Sequence, residues 1–255
     1  MRDVAVPGAV RTAWSRETHG RFVTKYEVEA RFCELLEKYL APRSVVLDAG
    51  CGQWGLIGHF GSLTRSVVGI DVNVGTLCRN EVIQSGVVGD LSILPFADEA
   101  FDAATCQWVV EHLRDPVRFF REIFRVLKPG GNLFIMTPNL LNYEALAGKL
   151  IPNRLHAPLL RELLGRSEEH TFPTYYRSNT PMSLDRNLFS VGLRKLEMCF
   201  VDGMPDRWRF SRLLAVLNVV YRRVTDYSAL NWGKAYLVCA YRKSSGINRF
   251  QGGCL

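Results

Sequence analysis

The stretch from Val45 to Gly55 limits the possible folds of this chain more than any other stretch. It reads VVLDAGCGQWG, an apolar run followed by an acid and by glycines at positions 50, 52 and 55. An uninterrupted apolar run is typical of a strand that is buried on both faces of a parallel sheet. Glycines directly after the strand let the backbone turn sharply and let a ligand approach main-chain N–H groups. This arrangement predicts a nucleotide-binding loop, although G-x-G-x-x-G alone also occurs in ordinary turns.

Strand and helix patterns alternate after this loop. Short apolar or alternating runs predict strands at residues 44–49, 66–70, 86–89, 101–106, 132–137, 193–201 and 234–241. Apolar residues at helical spacing predict helices at Tyr26 to Leu40 and at Pro116 to Leu127. The second of these should end at the turn Lys-Pro-Gly-Gly and should bury Val117, Phe120, Ile123, Phe124 and Leu127. The alternation predicts an α/β fold with a parallel sheet and helices on both faces.

The length of 255 residues suits a single α/β domain with additions. Long segments without a clear strand pattern interrupt the alternation twice, and such segments are usually lids or small subdomains. We therefore expect one domain at 1–255 with these parts: an N-terminal helical cover at 1–40, a cofactor-binding core at 41–138, helical lid insertions at 139–178 and 202–233, and a flexible tail at 243–255.

Composition narrows the environment of the chain. The seven cysteines form no C-x-x-C pair, so the sequence predicts neither a zinc site nor a disulfide framework, and we expect no metal. This use of cysteine fits a reducing, cytoplasmic compartment. No apolar run approaches the roughly 20 residues of a membrane span, and the N-terminus has no cleavage-type signal. The net charge of +7 is compatible with anionic substrates, anionic lipid or nucleic acid.

Acids and a glutamine follow the predicted strands at the points where ligands bind in open α/β sheets. Asp71 ends the second strand, where a carboxylate can accept hydrogen bonds from two ribose hydroxyls. Asp90 follows the third strand, where it could accept from an adenine amine while Leu91 covers the ring. Asp48 stands two residues before Gly50, a place better suited to a cationic ligand than to a pyrophosphate. S-adenosylmethionine carries an ammonium and a sulfonium, whereas NAD carries a pyrophosphate.

Four collinear stretches resemble a known family. They read VLDAGCGQWG, GIDVN, GDLSILPFADEAFDAATCQWVVEHLRDP and RVLKPGGNLFIMTPN. In this order they are similar to the motifs of class I S-adenosylmethionine-dependent methyltransferases, in the subgroup that includes enzymes of quinone biosynthesis. The resemblance covers about residues 40–140 and is much more specific than the glycine pattern.

The resemblance implies a Rossmann-like fold with a seven-stranded sheet whose last strand is antiparallel. It implies S-adenosyl-L-methionine as the cofactor, contacted by Asp48, Gly50, Cys51, Gly52, Asp71, Asp90, Leu91 and Gln107. The bulky Trp54 and the apolar Cys106 depart from the common pattern without removing a needed group. Because the family often carries Glu-His-Leu after the fourth strand, a structural role is implied for His112.

A histidine and a group of aromatic residues end the first insertion, in EEHTFPTYYRSNT. His170 could deprotonate a hydroxyl, because imidazole titrates near neutral pH. Tyr175 and Tyr176 could line a pocket, and Arg177 could clamp a carboxylate or phosphate. We predict His170 and Tyr175 as the candidate catalytic residues. The alternative is a lid hinge fixed by Pro173 and packed aromatic rings.

The second insertion contains an apolar helix, Phe210 to Tyr221, with arginines at its ends. It is too short to span a bilayer. It would either pack against the lid or lie in the interface of an anionic membrane. The second alternative, with the apolar and basic first insertion, suggests an amphiphilic acceptor. A nucleic-acid partner is not expected, since no zinc-finger, RRM or homeodomain signature occurs. The sequence leaves the oligomeric state open.

These observations predict a methyltransferase that acts on a small-molecule or lipid-linked acceptor, with transfer to oxygen favoured over carbon or nitrogen. Methyl transfer often needs only alignment, so a missing base does not count against this prediction. One alternative is a catalytically silent member of the fold that acts as a binding subunit. The other is an oxidoreductase that uses a nicotinamide cofactor.

Overall fold

The computed structural model describes residues 23–53, 55–143, 172–202, 216, 220–221, 223–227 and 229–244. Its helices are α1 (Val23–Tyr39), α2 (Val74–Cys78), α3 (Pro116–Val126) and α4 (Pro181–Ser190). Its strands are β1 (Ser44–Ala49), β2 (Thr64–Asp71), β3 (Ser85–Val88), β4 (Phe101–Gln107), β5 (Leu127–Pro138), β6 (Leu193–Val201) and β7 (Tyr236–Lys243). Short 3₁₀ helices lie at Leu56–Phe60, Val110–His112 and Asn231–Gly233.

The seven strands form one sheet in the order β3-β2-β1-β4-β5-β7-β6. Neighbours among β1 to β5 pair in parallel, whereas β7 pairs antiparallel with both β5 and β6. The Rossmann-like sheet with an antiparallel last strand is therefore confirmed. Because β1 to β4 run in one direction, their carboxyl ends meet at one edge of the sheet, which we call the carboxyl edge.

Two apolar layers cover the sheet, one on each face. Successive residues of a strand point to opposite faces, and β1 shows this directly. Leu47 lies in the layer that contains Phe120 of α3 and Leu184 of α4. Val46 lies in the other layer, with Phe32 of α1 and Ile57 of the first 3₁₀ helix. Helices on both faces were predicted, and the described residues show them.

Helix α3 begins and ends close to its predicted limits, but its buried face is different. Asp115 caps it by accepting a hydrogen bond from the backbone N–H of Arg118, and Pro116 occupies the first turn. The buried residues are Pro116, Phe119, Phe120, Ile123 and Val126. Val117 and Phe124 are only half-buried, so that part of the prediction was wrong. The apolar stripe is rotated because Phe119 and Phe120 both face the core.

The stretch Lys-Pro-Gly-Gly is not a free turn between α3 and a later strand. Strand β5 begins at Leu127, which pairs with Phe101 at the start of β4. The register shifts after this pair, so that Ala103 faces Asn132, and Gly130 has a positive φ of 78°. Extra residues in one strand with a glycine at positive φ are the mark of a β-bulge. The sequence showed the irregularity but not that the strand passes through it.

Other limits also differ from the prediction. Helix α4 was not predicted, although Thr180 caps it and Pro181 occupies its first turn. The connection between β1 and β2 contains a 3₁₀ helix among its described residues. Strand β7 includes Lys243, which the prediction assigned to the flexible tail; residues 245–255 lie outside the described part.

The two predicted insertions are described only in part. Residues 139–143 and 172–178 of the first, and scattered residues from 216 onward of the second, belong to the described chain. Their extent as lids therefore stays a prediction. Among the described helices, none combines the length and apolar character needed to cross a membrane.

Candidate active site

The glycine loop that follows β1 is held against the end of β2. The backbone N–H groups of Gly50 and Cys51 both donate to the carbonyl oxygen of Ile70, at 2.8 and 3.2 Å. Gly50 has a φ of 72°, and a Cβ there would lie 2.4 Å from the Cγ2 atom of Val109. A side chain at Gly50 is therefore excluded both by backbone strain and by space.

Asn80, which the sequence analysis did not identify, fixes the outer part of this loop. Its Nδ2 atom donates to the carbonyl oxygens of Cys51 and Gly52, at 3.3 and 3.1 Å. Its Oδ1 atom accepts from the backbone N–H groups of Val82 and Ile83. Because the buried Asn80 uses both ends of its amide, it joins the loop carbonyls of residues 51 and 52 to the backbone at residues 82 and 83.

Asp48 lies at the carboxyl end of β1 and is almost fully buried, with 1% exposure. Its Oδ1 atom accepts a 2.7 Å hydrogen bond from the hydroxyl of Thr105, a buried residue in β4. Its Oδ2 atom makes no hydrogen bond with the described residues. Burial raises the pKa of Asp48 to about 6, and Thr105 and the Gln107 amide offset part of that rise. A buried oxygen without a partner is costly and points to a ligand donor.

Gly55, the third glycine of the motif, lies against the open oxygen of Asp48. A Cβ on Gly55 would lie 2.6 Å from Oδ2 of Asp48 and 3.3 Å from Nε2 of Gln107. Gln107 ends β4, and its Oε1 atom accepts from the backbone N–H of Leu56 at 3.3 Å. A side chain at residue 55 would therefore press on the buried carboxylate and on the fixed amide. The structure brings Asp48 and Gln107 together, as the sequence analysis predicted.

Asp71, at the end of β2, faces the same loop. Its Oδ2 atom accepts from the N–H of Gly52 at 2.9 Å, and its Oδ1 atom accepts from the N–H of Asn73 at 2.8 Å. A carboxylate oxygen can accept two hydrogen bonds, so each oxygen retains one position. A Cβ on Gly52 would meet no atom within 4 Å, so the space beside this carboxylate is open. The role of Asp71 as acceptor for two ribose hydroxyls stays a prediction.

Asp90 and Leu91 follow β3 at the same edge. Asp90 is exposed, and its Oδ1 atom accepts from the N–H of Ser92 at 2.7 Å. This bond holds the pKa of Asp90 below its ordinary value, so the group stays ionised as an acceptor. Leu91 is half-buried and packs on the core layer of α3. Their contacts with adenine stay a prediction.

A second buried carboxyl group lies beyond β4 and was not predicted. Oε2 of Glu111 accepts a 3.0 Å hydrogen bond from the hydroxyl of Thr137 in β5. The same hydroxyl accepts a 2.7 Å hydrogen bond from Nδ2 of Asn179. The Oδ1 atom of Asn179 is buried and makes no hydrogen bond with the described residues. Burial raises the pKa of Glu111 above its ordinary value, and the charge of His112 opposes this rise.

The backbone around Glu111 ties down the end of the first insertion. The N–H groups of Tyr175 and Tyr176 donate to the carbonyl oxygen of Glu111, at 2.7 and 3.2 Å. Nδ1 of His112 lies 3.0 Å from the carbonyl oxygen of Pro173, and since that oxygen can only accept, Nδ1 carries the proton. His112 thus anchors the segment that carries Tyr175, and the structural role that the resemblance implied for it stays a prediction.

The two predicted catalytic residues have different outcomes. Tyr175 lies beside the guanidinium groups of Arg114 and Arg177, whose Cζ atoms are 5.6 and 5.8 Å from the centre of its ring. Arg177 also donates to the carbonyl oxygen of Arg114 at 2.7 Å. The backbone of Tyr175 is held next to Glu111, but a catalytic role for Tyr175 stays a prediction. His170 lies outside the described residues.

Comparison with known proteins agrees with this geometry. Residues 47–135 match the family model described as a methyltransferase domain. These residues form a class I S-adenosylmethionine-dependent methyltransferase domain. The cofactor of such a domain is S-adenosyl-L-methionine, as the resemblance implied. The methyltransferase domain includes the glycine loop, the acids of β1 to β3 and Gln107.

Curated relatives of the chain are methyltransferases by name. A protein of Mycolicibacterium smegmatis described as a "probable S-adenosylmethionine-dependent methyltransferase" is 31% identical, over 56% of this chain and 57% of its own length. A malonyl-[acyl-carrier protein] O-methyltransferase of Erwinia billingiae is 27% identical, over 69% and 72%. A ubiquinone biosynthesis O-methyltransferase of Xanthomonas axonopodis is 36% identical, over 37% and 43%. The chain spans about half of the length of the first relatives that it matches.

Solved structures show the same fold at lower identity. The crystal structure of the [4+2]-cyclase SpnF has a TM-score of 0.56 and 19% identity, and the match covers 86% of this chain and 82% of that one. Such a likeness describes the arrangement of strands and helices alone, because one fold hosts many activities.

Proposed function

We propose that the chain transfers a methyl group from S-adenosyl-L-methionine to an oxygen atom of a small-molecule or lipid-linked acceptor. The observation that carries the proposal is the open oxygen of Asp48. A buried carboxylate with one unpartnered oxygen, next to a glycine that brings no side chain against it, suits an ammonium group. It would repel the pyrophosphate of a nicotinamide cofactor, which makes the oxidoreductase alternative weaker.

Different residues in and around the glycine loop would contact different parts of the cofactor. Asp48 would meet the ammonium of the methionine part, Gly50 and Gly52 would lie against that part, and Asp71 would hold the ribose. When bound, the cofactor supplies a methyl group that its sulfonium already activates. The protein therefore needs mainly to align the acceptor and to exclude water.

The choice of oxygen rests on the relatives that are named as O-methyltransferases. The match with the Erwinia billingiae protein is the more informative, because it runs over 185 residues. An alignment of that length cannot fit within the 89-residue cofactor segment, residues 47–135, and so includes part of the acceptor side. The Xanthomonas axonopodis match spans only 102 residues and says less about the acceptor.

On the acceptor side we assign Tyr175 to contact with the substrate. The two guanidinium groups beside its ring give this place a positive charge. Such a charge suits an acceptor that carries a carboxylate or phosphate near the hydroxyl to be methylated. A base for the hydroxyl proton is assigned to His170 or Tyr175, as a further part of the proposal.

Two measurements on the purified chain test the proposal. Calorimetry with S-adenosylhomocysteine is expected to show binding, whereas NADH is expected not to bind. With S-adenosylmethionine present, release of S-adenosylhomocysteine should rise when a lipid extract or a pool of hydroxylated metabolites is added. NMR of the product should then show an O-methyl group. Binding without release for any pool would favour the silent alternative. Binding of NADH instead would favour the oxidoreductase.

A further inference from the structure

A row of exposed apolar side chains follows the second insertion. Val216, Val220, Val224 and Tyr227 recur at spacings of four, four and three residues, and Leu230 and Trp232 come next. Residues 216, 220–221 and 223–225 are helical, so Val216, Val220 and Val224 have the spacing of one helix face, and Tyr227 follows just beyond the helical residues. Their exposed fractions lie between 44% and 71%, and Leu230 and Trp232 are 39% and 48% exposed. We call these six residues the apolar ridge.

The exposure of the ridge follows from how the opposite face is held. The hydroxyl of Tyr221 donates to the carbonyl oxygen of Gly233 at 2.7 Å, and its ring lies 4.8 Å from that of Tyr143. Thr225, one turn later on the same side, is buried. Since Tyr221 and Thr225 fix the inner face, the valines of the ridge must point away from the body of the domain.

The ridge lies within the most basic part of the chain. Residues 207–234 contain five arginines and one lysine against one aspartate, which leaves +5 of the net charge of +7 in this stretch. Arg223 is exposed on the same helix. The ridge also ends in a tyrosine and a tryptophan, which are enriched where an apolar phase meets water. Valines, aromatic residues and arginines together are typical of helices that lie in a membrane interface.

We propose that the apolar ridge docks onto the surface of an anionic lipid bilayer. The valines would enter the boundary of the acyl chains, while the arginines would meet the lipid phosphates. A second copy of the chain fits less well, because both copies would bring the same positive charge. The ridge also presents only on the order of 500 Å² of apolar surface, less than the roughly 800 Å² that each partner buries in a standard protein interface.

Contacts tie the ridge to the carboxyl edge of the sheet. Nδ2 of Asn139, directly after β5, donates to the carbonyl oxygens of Trp232 and Lys234 at 2.7 and 2.8 Å. Nδ2 of Asn142 donates to the carbonyl oxygen of Gly233 at 3.1 Å. Docking through the ridge would therefore bring the end of β5 close to the lipid. The inference itself rests on exposure and charge and does not depend on the methyltransferase proposal.

Sedimentation of the full chain with lipid vesicles tests the proposal. Vesicles that contain phosphatidylglycerol should carry the chain into the pellet at low salt, and vesicles of phosphatidylcholine alone should do so much less. The double variant Val220→Glu, Val224→Glu should lower the partition coefficient at least about tenfold, because it replaces inserted valines with anions. The matched control is Met182→Glu, on the exposed face of α4, which should partition like the wild type.

Three results would overturn the proposal: a wild-type chain that stays in the supernatant, a double variant that pellets like the wild type, or pelleting that ignores anionic lipid. Light scattering measures the oligomeric state and so tests whether the ridge binds a second copy of the chain. A dimer that the double variant turns into a monomer would assign the ridge to a second copy instead. A thermal melting curve on the same samples distinguishes loss of docking from loss of the fold, because the double variant should melt near the wild-type temperature.

Discussion

Two buried carboxyl groups at the carboxyl edge, Asp48 and Glu111, are held in different ways. Each accepts a hydrogen bond from the hydroxyl of a fully buried threonine, Thr105 for Asp48 and Thr137 for Glu111. Burial raises the pKa of both. Asp48, however, keeps an oxygen without a partner, and its neighbour Gly55 has no side chain. Glu111 lies instead in a network of protein groups that continues to Asn179.

The difference distinguishes two sides of the site. The β1–β2 side has acceptor atoms for a ligand, whereas the β4–β5 side holds the protein segment that carries Tyr175. On the β1–β2 side, Asp48 keeps an oxygen without a partner, and the oxygens of Asp71 can each accept a further hydrogen bond. On the β4–β5 side, Glu111 and His112 hold the residues that carry Tyr175. Substitutions on the first side should therefore change cofactor affinity, and substitutions on the second should change stability or use of the acceptor.

The largest expected effect comes from removing the charge of Asp48, and removal of the charge of Glu111 serves as the comparison. Asp48→Asn should weaken S-adenosylhomocysteine binding about 10- to 100-fold, because it removes a charged hydrogen bond. Glu111→Gln should change this affinity less than about threefold, since the amide oxygen can still accept from Thr137. The exposed Asp98, before the amino end of β4, supplies the control Asp98→Asn. Calorimetry measures all three; equal losses in the first two would break the comparison.

Asp48→Asn should weaken cofactor binding but raise the stability of the fold. Its folded pKa of about 6 lies above the ordinary value, so the folded state holds the proton more tightly. Stability should therefore fall as the pH rises from about 4 to about 6, and Asp48→Asn should raise the free energy of unfolding at pH 7 by about 2 kcal/mol. Urea denaturation without cofactor measures this. A variant that is less stable than the wild type at pH 7 would contradict it.

Gly55→Ala tests whether cofactor binding needs the space that a side chain at residue 55 would take. The φ of Gly55 is −142°, so alanine brings no backbone strain, but its Cβ would lie 2.6 Å from Oδ2 of Asp48. We expect roughly a tenfold loss of affinity for S-adenosylhomocysteine, from a crowding cost of about 1–3 kcal/mol. Calorimetry beside a melting curve shows whether the loss is in binding or in folding. Unchanged affinity would mean that this space is not part of the cofactor site.

The two threonines form a matched pair. Thr105→Val and Thr137→Val should each lower the free energy of unfolding by about 1–2 kcal/mol, because each leaves a buried carboxyl oxygen without its donor. Only Thr105→Val should move the pH midpoint of cofactor binding upward, since its hydroxyl stabilises the ionised form of Asp48. Binding measured over a range of pH separates them; a shift in both would show that the two sites are coupled.

The smallest expected effect concerns His112. His112→Ala removes the hydrogen bond to Pro173 and should cost about 1 kcal/mol of stability. Once an acceptor is known, its KM should rise while S-adenosylhomocysteine affinity stays the same. His112→Asn can place a donor near the position of Nδ1, so it should restore much of the lost function. No recovery, with a changed pH profile of kcat, would instead point to a proton-transfer role.

The sequence predicted the cofactor half well for a physical reason. Apolar runs predict buried strands, and parallel strands bring Asp48, Asp71 and Gln107 to one edge. Asn80 gave no such signal, because it acts through two carbonyl groups that lie 28 and 29 residues away.

The acceptor half was harder to predict, because its contacts join distant residues. Thr137 is 26 residues from Glu111 and 42 from Asn179, and no periodicity marks such contacts. Helix α4 did have a local signal that was missed. Thr180 and Ser183 form a capping box around Pro181. The β-bulge in β5 was misread because a lysine, a proline and two glycines are also typical of a turn.

The central claim is that the open oxygen of Asp48 receives the ammonium of the cofactor. Calorimetry with S-adenosylhomocysteine from about pH 5 to about pH 8, on the wild type and on Asp48→Asn, tests it most directly. The wild-type affinity should fall below about pH 6, approaching tenfold per pH unit, because protonation of Asp48 removes the charge that the ammonium needs. Asp48→Asn should bind weakly with no step near this pH. Tight binding by the variant, or a wild-type affinity that is flat across this range, would contradict the account.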